Sequence, residues 1–405
     1  MKPIVRAGRM KPVHSEIRGP VFVEAMKRQK HGIDILKLNT GNPATFGFGL
    51  PDSIKNALME HMQDGVGYCD FKGMPQARQA ICDYETSKGI KGITPDDVFI
   101  GNGVSEVVSF ALTPLLNDGD EVLVPSPSYS LWGNSVYLED GKPVFYTCDE
   151  QANWYPDIQD IRSKITDKTK AIVIINPNNP TGVLYPKELL LEIIQIARES
   201  GLLIFADEIY DRLVMDGKQH ISLASLTEDV PVITLNGLSK SHCLCGYRCG
   251  WMVISGPREL TEDYRQGIIQ LTSLRLCANT MAQIVIPAAL DDMETPASMV
   301  RPGGRIYEQR EATVRELEKI DGLSFVKNDA AFYVFPKLDV KKFNITNDKQ
   351  FAHDLLDVTN ILLVPGSGFD WKDPDHFRIV MLPQADILSD AIRRMGTFLD
   401  GYKQK

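Results

Sequence analysis

The chain has 405 residues, 43% of them hydrophobic and 24% charged, a soluble globular composition with room for roughly two or three domains. A net charge of −9 without any Lys/Arg-rich stripe argues against nucleic acid or an anionic membrane as the main partner. No apolar stretch follows the basic start at Met1–Lys11, and no later run nears the ~18 apolar residues of a membrane span, so a cytoplasmic protein is expected.

The first patterned segment is the strand-like Ile35–Asn39, which ends at Thr40-Gly41-Asn42-Pro43. That cluster is either plain turn punctuation or a loop where Gly41 lets backbone approach a ligand. Helical periodicity from Pro51 to about Ile90 is interrupted at Gly65–Gly73, where Tyr68 is either a contact residue or a half-buried anchor. An α/β series follows. Strand Val98–Ile100 runs through Gly101-Asn-Gly-Val-Ser-Glu106 into the apolar-periodic Val107–Leu116. Such a strand, turn and helix can aim free backbone N–H groups at an anion, or be no more than a tight connection; it matches neither a Walker loop nor GxGxxG.

Strands Glu121–Val124 and Val144–Tyr146 flank a loop with Tyr129 and Trp132, two aromatic faces for a flat ring or two caps on the core. Ala171–Ile175 reads as a fully buried strand leading into Asn176-Pro-Asn-Asn-Pro-Thr-Gly182. Helix Pro186–Ser200, with Pro186 at its first position, precedes the buried strand Leu202–Phe205 and Ala206-Asp-Glu-Ile-Tyr210. Asp207 by itself suits a helix N-cap; at a strand's carboxyl end, where ligands of open parallel sheets collect, it and Tyr210 also suit chemistry. Strand Val232–Leu235 enters Asn236–Trp251, a loop holding Lys240 and Arg248, and Gly250–Ile254 closes the series. Lys240 alone reads as a solvated loop lysine. With Arg248 it offers an amine for an aldehyde and a guanidinium for a phosphate on the same small molecule. Cys243, Cys245 and Cys249 in this loop lack the partners of a zinc site, so no metal is expected, and the odd total of seven cysteines suits reduced thiols.

After Pro257 the pattern changes. A helical stretch to about Leu290 contains Ser273–Asn279, and a second long helix spans Ile306–Lys319. Strands at Leu323–Val326, Ala331–Phe335, Ile361–Val364 and Phe377–Met381 mix with helices Lys349–Val358 and Ile387–Tyr402. The expected fold is α/β, with a mainly parallel central sheet in a large domain and a smaller α+β domain.

Asn179 in Asn-Pro-Thr-Gly, Asp207 in Ala-Asp-Glu-Ile-Tyr, Lys240 in Ser-Lys and Arg248 in Gly-Tyr-Arg-x-Gly-Trp occur in order at strand ends. With Leu38-Asn-Thr-Gly-Asn-Pro43, Gly67-Tyr-Cys-Asp-Phe-Lys-Gly73 and Ser273-x-Arg-Leu-Cys-Ala-Asn279, they make the chain resemble the fold type I, class I/II pyridoxal-phosphate aminotransferases, in particular the bacterial glutamate–pyruvate (alanine) group, from about residue 12 to 403. The resemblance implies an N-terminal arm and part of the small domain in 1–45, a large cofactor-binding domain in 46–300 and a small domain in 301–405.

It also implies roles. Lys240 would carry pyridoxal 5′-phosphate as a Schiff base and shuttle the α-proton, and Asp207 would pair with the ring nitrogen. Asn179 and Tyr210 would donate to the ring's 3′ oxygen, and Tyr129 would stack on the ring. Gly103, Val104, Ser105, Ser239 and Arg248 would hold the phosphate. Arg378 would clamp the substrate α-carboxylate beside Gly41, with Asn179 also in contact. Tyr68 would reach the neighbouring subunit's cofactor, making a homodimer with shared active sites.

The expected reaction is ping-pong amino transfer between L-alanine and 2-oxoglutarate. The alternatives are β-elimination of cysteine conjugates or transamination of another neutral amino acid, with amino acids and 2-oxo acids as the small-molecule partners. A transcription regulator would need a basic helix-turn-helix before residue 30, which is lacking. Three positions depart from or strain the family pattern. His242 lies in a loop whose sequence differs from relatives, Ala330 stands where a glycine is usual, and Arg275 is the nearest candidate for a second cation that binds a distal carboxylate.

Overall fold

The computed structural model describes residues 2–405. Its centre is an eight-stranded sheet: β1 (Val98–Asn102), β2 (Glu121–Ser126), β3 (Lys142–Asp149), β4 (Tyr155–Pro156), β5 (Thr169–Ile175), β6 (Leu203–Asp207), β7 (Val232–Gly237) and β8 (Cys249–Ser255), in the order β1-β8-β7-β6-β5-β2-β3-β4. The strands from β7 to β3 are mutually parallel, whereas β8 runs antiparallel to both neighbours. Helices cover both faces, so β5, β6 and β7 are apolar nearly throughout rather than alternating. One layer packs Ile193, Ile194 and Ala197 of the helix Lys187–Ser200 on Ile172, Ile174 and Ile204; the other sets Val107, Val108 and Ile268 against Val173, Phe205 and Ile233.

Strand order reverses between β5 and β2. That is the crevice where an open α/β sheet binds ligands at its carboxyl edge. Asn179 follows β5, Asp207 ends β6, Lys240 follows β7 and Tyr129 follows β2, so all four reach the same edge.

A second core joins Val21, Ala25, Ile35 and Leu38 to Leu355, Phe377, Ile379 and Met395, which places the chain's beginning among its last hundred or so residues. There Tyr333–Val334 and Val364–Pro365 flank Phe377–Val380, and Leu36–Lys37 pairs with Ile361–Leu362. No single helix among the described residues is long and apolar enough to cross a membrane.

Several elements differ from the sequence expectation. Pro186 caps the helix at ψ 158° instead of opening it. Most small-unit strands shrink to two paired residues, as at Leu323–Ser324, and Phe377–Val380 keeps four. The helix from Arg258 stops at Arg275, where Leu276 takes φ 77°, and resumes at Thr280 with Asn279 as cap. That break lets the Asn279 N–H donate to Asn102 Oδ1 at the end of β1.

The turn after β6 rests on buried charge. The Lys88 ammonium lies 2.7 Å from Glu85, 2.7 Å from Glu208 and 3.2 Å from Asp211. Burial would strip its proton, but Glu208, Glu85 and Asp211 keep its pKa well above the ordinary lysine value. Glu208, Asp211 and His220 have metal-like spacing, yet Lys88 already supplies the cation between the two acids. Replacing Lys88 with methionine leaves these acids uncompensated and is expected to cost about 3–5 kcal/mol, read as a lower urea midpoint.

Candidate active site

A cavity of about 450 Å³ opens at the carboxyl edge, and every residue assigned above to cofactor or substrate lines it except Gly103 and Tyr68. Gly103 lies directly behind the wall. It caps the helix Val104–Leu112 at φ 84°, and a Cβ there would strike the Arg248 guanidinium. The glycine therefore serves both the left-handed turn and the close approach of a cation to a helix N-terminus. Tyr68 is 83% exposed and does not line its own chain's cavity.

The anion end is built from several directions. Glu106 accepts the Asn102 N–H (2.7 Å) and side-chain amide (2.9 Å), which fixes the first turn of the helix. Arg275 secures Glu106 at 2.5 Å and also donates to Phe71 and Ile100 carbonyls, each at 3.2 Å. Its guanidinium is thus engaged by the fold and does not line this chain's cavity. Arg248, at φ 54°, donates to the Cys245 carbonyl at 3.1 Å and is otherwise exposed at the Val104–Ser105 end.

Asp207 is a buried charge in the cavity wall. Its Oδ2 accepts the Trp132 indole N–H at 3.0 Å and its Oδ1 the Ile209 N–H at 3.3 Å. No helix follows it, so the N-cap reading fails. Burial pushes its pKa up to about 6 against the opposing pull of these two donors. A carboxylate with donors but no cation fits a protonated ring nitrogen. Trp132 is fully buried; it orients Asp207 and does not offer a ring face. Tyr129 is left half-exposed at the rim as the aromatic for that task.

Lys240 lies in the turn Leu238–Ser241 directly after β7, its Nζ 2.9 Å from the Gly41 carbonyl and 3.8 Å from Cys245 Sγ. Burial opposes its charge, yet Tyr333, Cys245 and Tyr129 more than offset this and raise its pKa above the usual lysine value. The amine must therefore lose a proton before it can attack an aldehyde.

Arg378 is buried, donates to Asn179 Oδ1 at 3.0 Å and to the Asn39 carbonyl, and stacks over the rings of Tyr333 and Phe369 at 4.6 and 4.7 Å. Its Nε has no partner, and Asn179 keeps its amide N–H₂ free to donate. Tyr210 is buried with its hydroxyl 2.9 Å from that of Tyr333. Sequence reasoning missed Tyr333; its one signal is alternation along Phe332-Tyr333-Val334, which sends it to the face opposite its neighbours. His242 is a buried, neutral structural residue, its pKa lowered to about 4 by burial, held by Ser241 and the Asp292 carbonyl. Ala330 is buried without a left-handed φ, so its methyl is accommodated; the positive φ falls on Ala331.

The chemistry of this donor set suits a phosphorylated aromatic aldehyde and an amino acid side by side. Residues 33–392 match the family described as aminotransferase class I and II, and the chain belongs to it. It is 50% identical, over the full length of both chains, to glutamate-pyruvate aminotransferase AlaA of Haemophilus influenzae. Among solved structures, an aminotransferase from Escherichia coli superposes with a TM-score of 0.98 at 47% identity, covering all of both chains. An alanine aminotransferase from Pyrococcus furiosus gives 0.93 at 41% identity, covering 98% of this chain and 100% of its own.

A cationic ring nitrogen pairs with Asp207 only when the acid is ionised, so uptake of pyridoxal phosphate by the apoprotein should weaken as pH falls through about 6. Trp132→Phe removes a donor that favours the carboxylate, and should move this midpoint upward by roughly one pH unit in an absorbance titration of cofactor binding.

Proposed function

We propose that this aminotransferase moves an amino group between L-alanine and 2-oxoglutarate, giving pyruvate and L-glutamate, with pyridoxal 5′-phosphate as cofactor. The observation that carries the reading is the convergence of Lys240, Asp207, Arg248 and Arg378 on one cavity. The 50% identity to a protein named for glutamate and pyruvate supports the choice of substrates. When bound, the cofactor supplies an aldehyde that condenses with amines and a ring that accepts the electron pair released at Cα.

The chain supplies the remainder. Arg378 binds the α-carboxylate, with Gly41 against it. Arg248, Ser239 and the helix N-terminus at Val104–Ser105 hold the phosphate. Asp207 keeps a proton on the ring nitrogen, and Lys240 Nζ carries a proton to and from the substrate's α-carbon.

Glutamate needs one more cation. Apart from Lys240, Arg248 and Arg378, the only lysine or arginine lining the cavity among the described residues is Arg18, in the turn Glu16–Arg18. It has no hydrogen-bond or ion-pair partner there, which suits a guanidinium awaiting a distal carboxylate. Arg18→Ala is expected to raise KM for 2-oxoglutarate at least about tenfold while leaving KM for alanine within about twofold, the loss of one charge-assisted contact; equal changes would remove Arg18 from this role.

A homodimer is part of the same reading. Exposed Met59, Met62, Val66 and Tyr68 lie on the segment that Thr280 Oγ1 binds through the Gly65 carbonyl, and exposed Leu274 and Leu276 flank Arg275, which holds the phosphate-end helix. An apolar face of this kind beside the cavity suits a second copy, with Tyr68 reaching across.

The first test follows the visible absorption of the cofactor-loaded protein. L-alanine alone should abolish the band of the lysine-bound form and 2-oxoglutarate should restore it. Release of pyruvate from a thioether substrate without any keto acid would mark elimination in place of transfer.

A further inference from the structure

Tyr210 and Tyr333 are 3% and 2% exposed, and their hydroxyls lie 2.9 Å apart. A phenol has a single proton to donate. If Tyr210 gives its proton to the cofactor's ring oxygen, the proton between the two tyrosines must belong to Tyr333. We propose that Tyr333 is a positioning residue: by donating to Tyr210 it aims the Tyr210 O–H at the cofactor's 3′ oxygen, so the small C-terminal unit sets how readily the Lys240 nitrogen sheds its proton. This rests on the assignment of Tyr210 to that oxygen.

The packing leaves Tyr333 little freedom to do otherwise. In the antiparallel pairing Tyr333 lies opposite Val380, on the face it shares with Arg378, whose guanidinium covers the Tyr333 ring at 4.6 Å. Its hydroxyl end presses on Gly41 so closely that a Cβ there would collide with it. The two phenol rings meet edge to face at 5.7 Å, and Phe332 closes on Tyr210 from another side at 5.9 Å. The charged groups facing this pair are Arg378, Lys240 and Asp207, with Tyr129 and Cys245 beyond them against Lys240. None of these hydrogen-bonds the Tyr333 hydroxyl, whose partner is the Tyr210 hydroxyl.

A donor to the ring oxygen stabilises negative charge there most when the adjacent Lys240 nitrogen has given up its proton. The donor therefore lowers the pH at which that nitrogen deprotonates. A phenol that itself accepts a hydrogen bond is the stronger donor, because the bonds in a chain polarise one another.

The experiment is a pH titration of the visible absorption of cofactor-loaded wild type, Tyr333→Phe, Tyr210→Phe and the double variant. Tyr333→Phe should raise the midpoint by about half a pH unit, and Tyr210→Phe should raise it further. The double variant should match Tyr210→Phe, since Tyr333 acts only through Tyr210. An unchanged midpoint in Tyr333→Phe overturns the proposal, as does a double variant in which the two shifts add. If Tyr210→Phe leaves the midpoint where it is, the contact between Tyr210 and the ring oxygen is itself wrong and the inference falls with it.

Discussion

A carboxylate buried at the bottom of a cleft must find a cation or surrender its charge, and the protein is arranged so that Asp207 does neither before a ligand arrives. Two N–H donors, from Trp132 and Ile209, keep it within reach of ionisation, while its surroundings contribute no positive group to satisfy it. Beneath the same turn the opposite choice is made. Lys88 pairs with Glu208, the very next residue, and also with Glu85 and Asp211. Adjacent acids on one strand end are thus separated in function by environment alone: Glu208 is settled inside the fold and Asp207 is kept open toward the cavity.

The same economy governs the guanidinium groups. Arg275 spends its donors on Glu106 and two carbonyls, and so fixes the helix end on which the phosphate would sit. Arg248 spends one and leaves its outer edge exposed. Arg378 is oriented by Asn179 from the large sheet and by the Asn39 carbonyl from the N-terminal segment, while aromatic faces occupy the space around it. Its geometry is held by neutral partners, so its charge is not cancelled before a substrate carboxylate meets it.

Much of this was legible in the sequence because strands announce their ends. Asn179, Asp207 and Lys240 each follow or terminate an apolar run, and a parallel sheet sends such positions to one edge regardless of detail, while Arg248 reaches that edge by preceding the antiparallel β8. What periodicity cannot convey is depth and choice of partner. Trp132 in a polar loop reads equally as a ring face or a core residue, and only its burial beside Asp207 decides. Arg275 at a helix end can serve a ligand or a neighbour; Glu106, distant in sequence, claims it. Leu276 ends a helix in a left-handed conformation that favours glycine, so no composition rule flags the break. Tyr333 was hidden because its strand is only two residues long and the residue it meets, Tyr210, is 123 positions away in the sequence.

The segment from His14 to Arg18 has a further consequence. Its backbone exchanges hydrogen bonds with Asn134 at 3.1 and 2.6 Å, the His14 ring meets Asp370 at 3.0 Å, and Ser15, Ile17 and Arg18 face the cavity. One wall of the catalytic chamber is therefore made from a segment far ahead of Lys240 and Arg378 in the sequence. The chamber is whole only when this segment and the strand Phe377–Val380 are both in place, so any change that pulls residues 14–18 off Asn134 and Asp370 leaves a reaction vessel with a side missing.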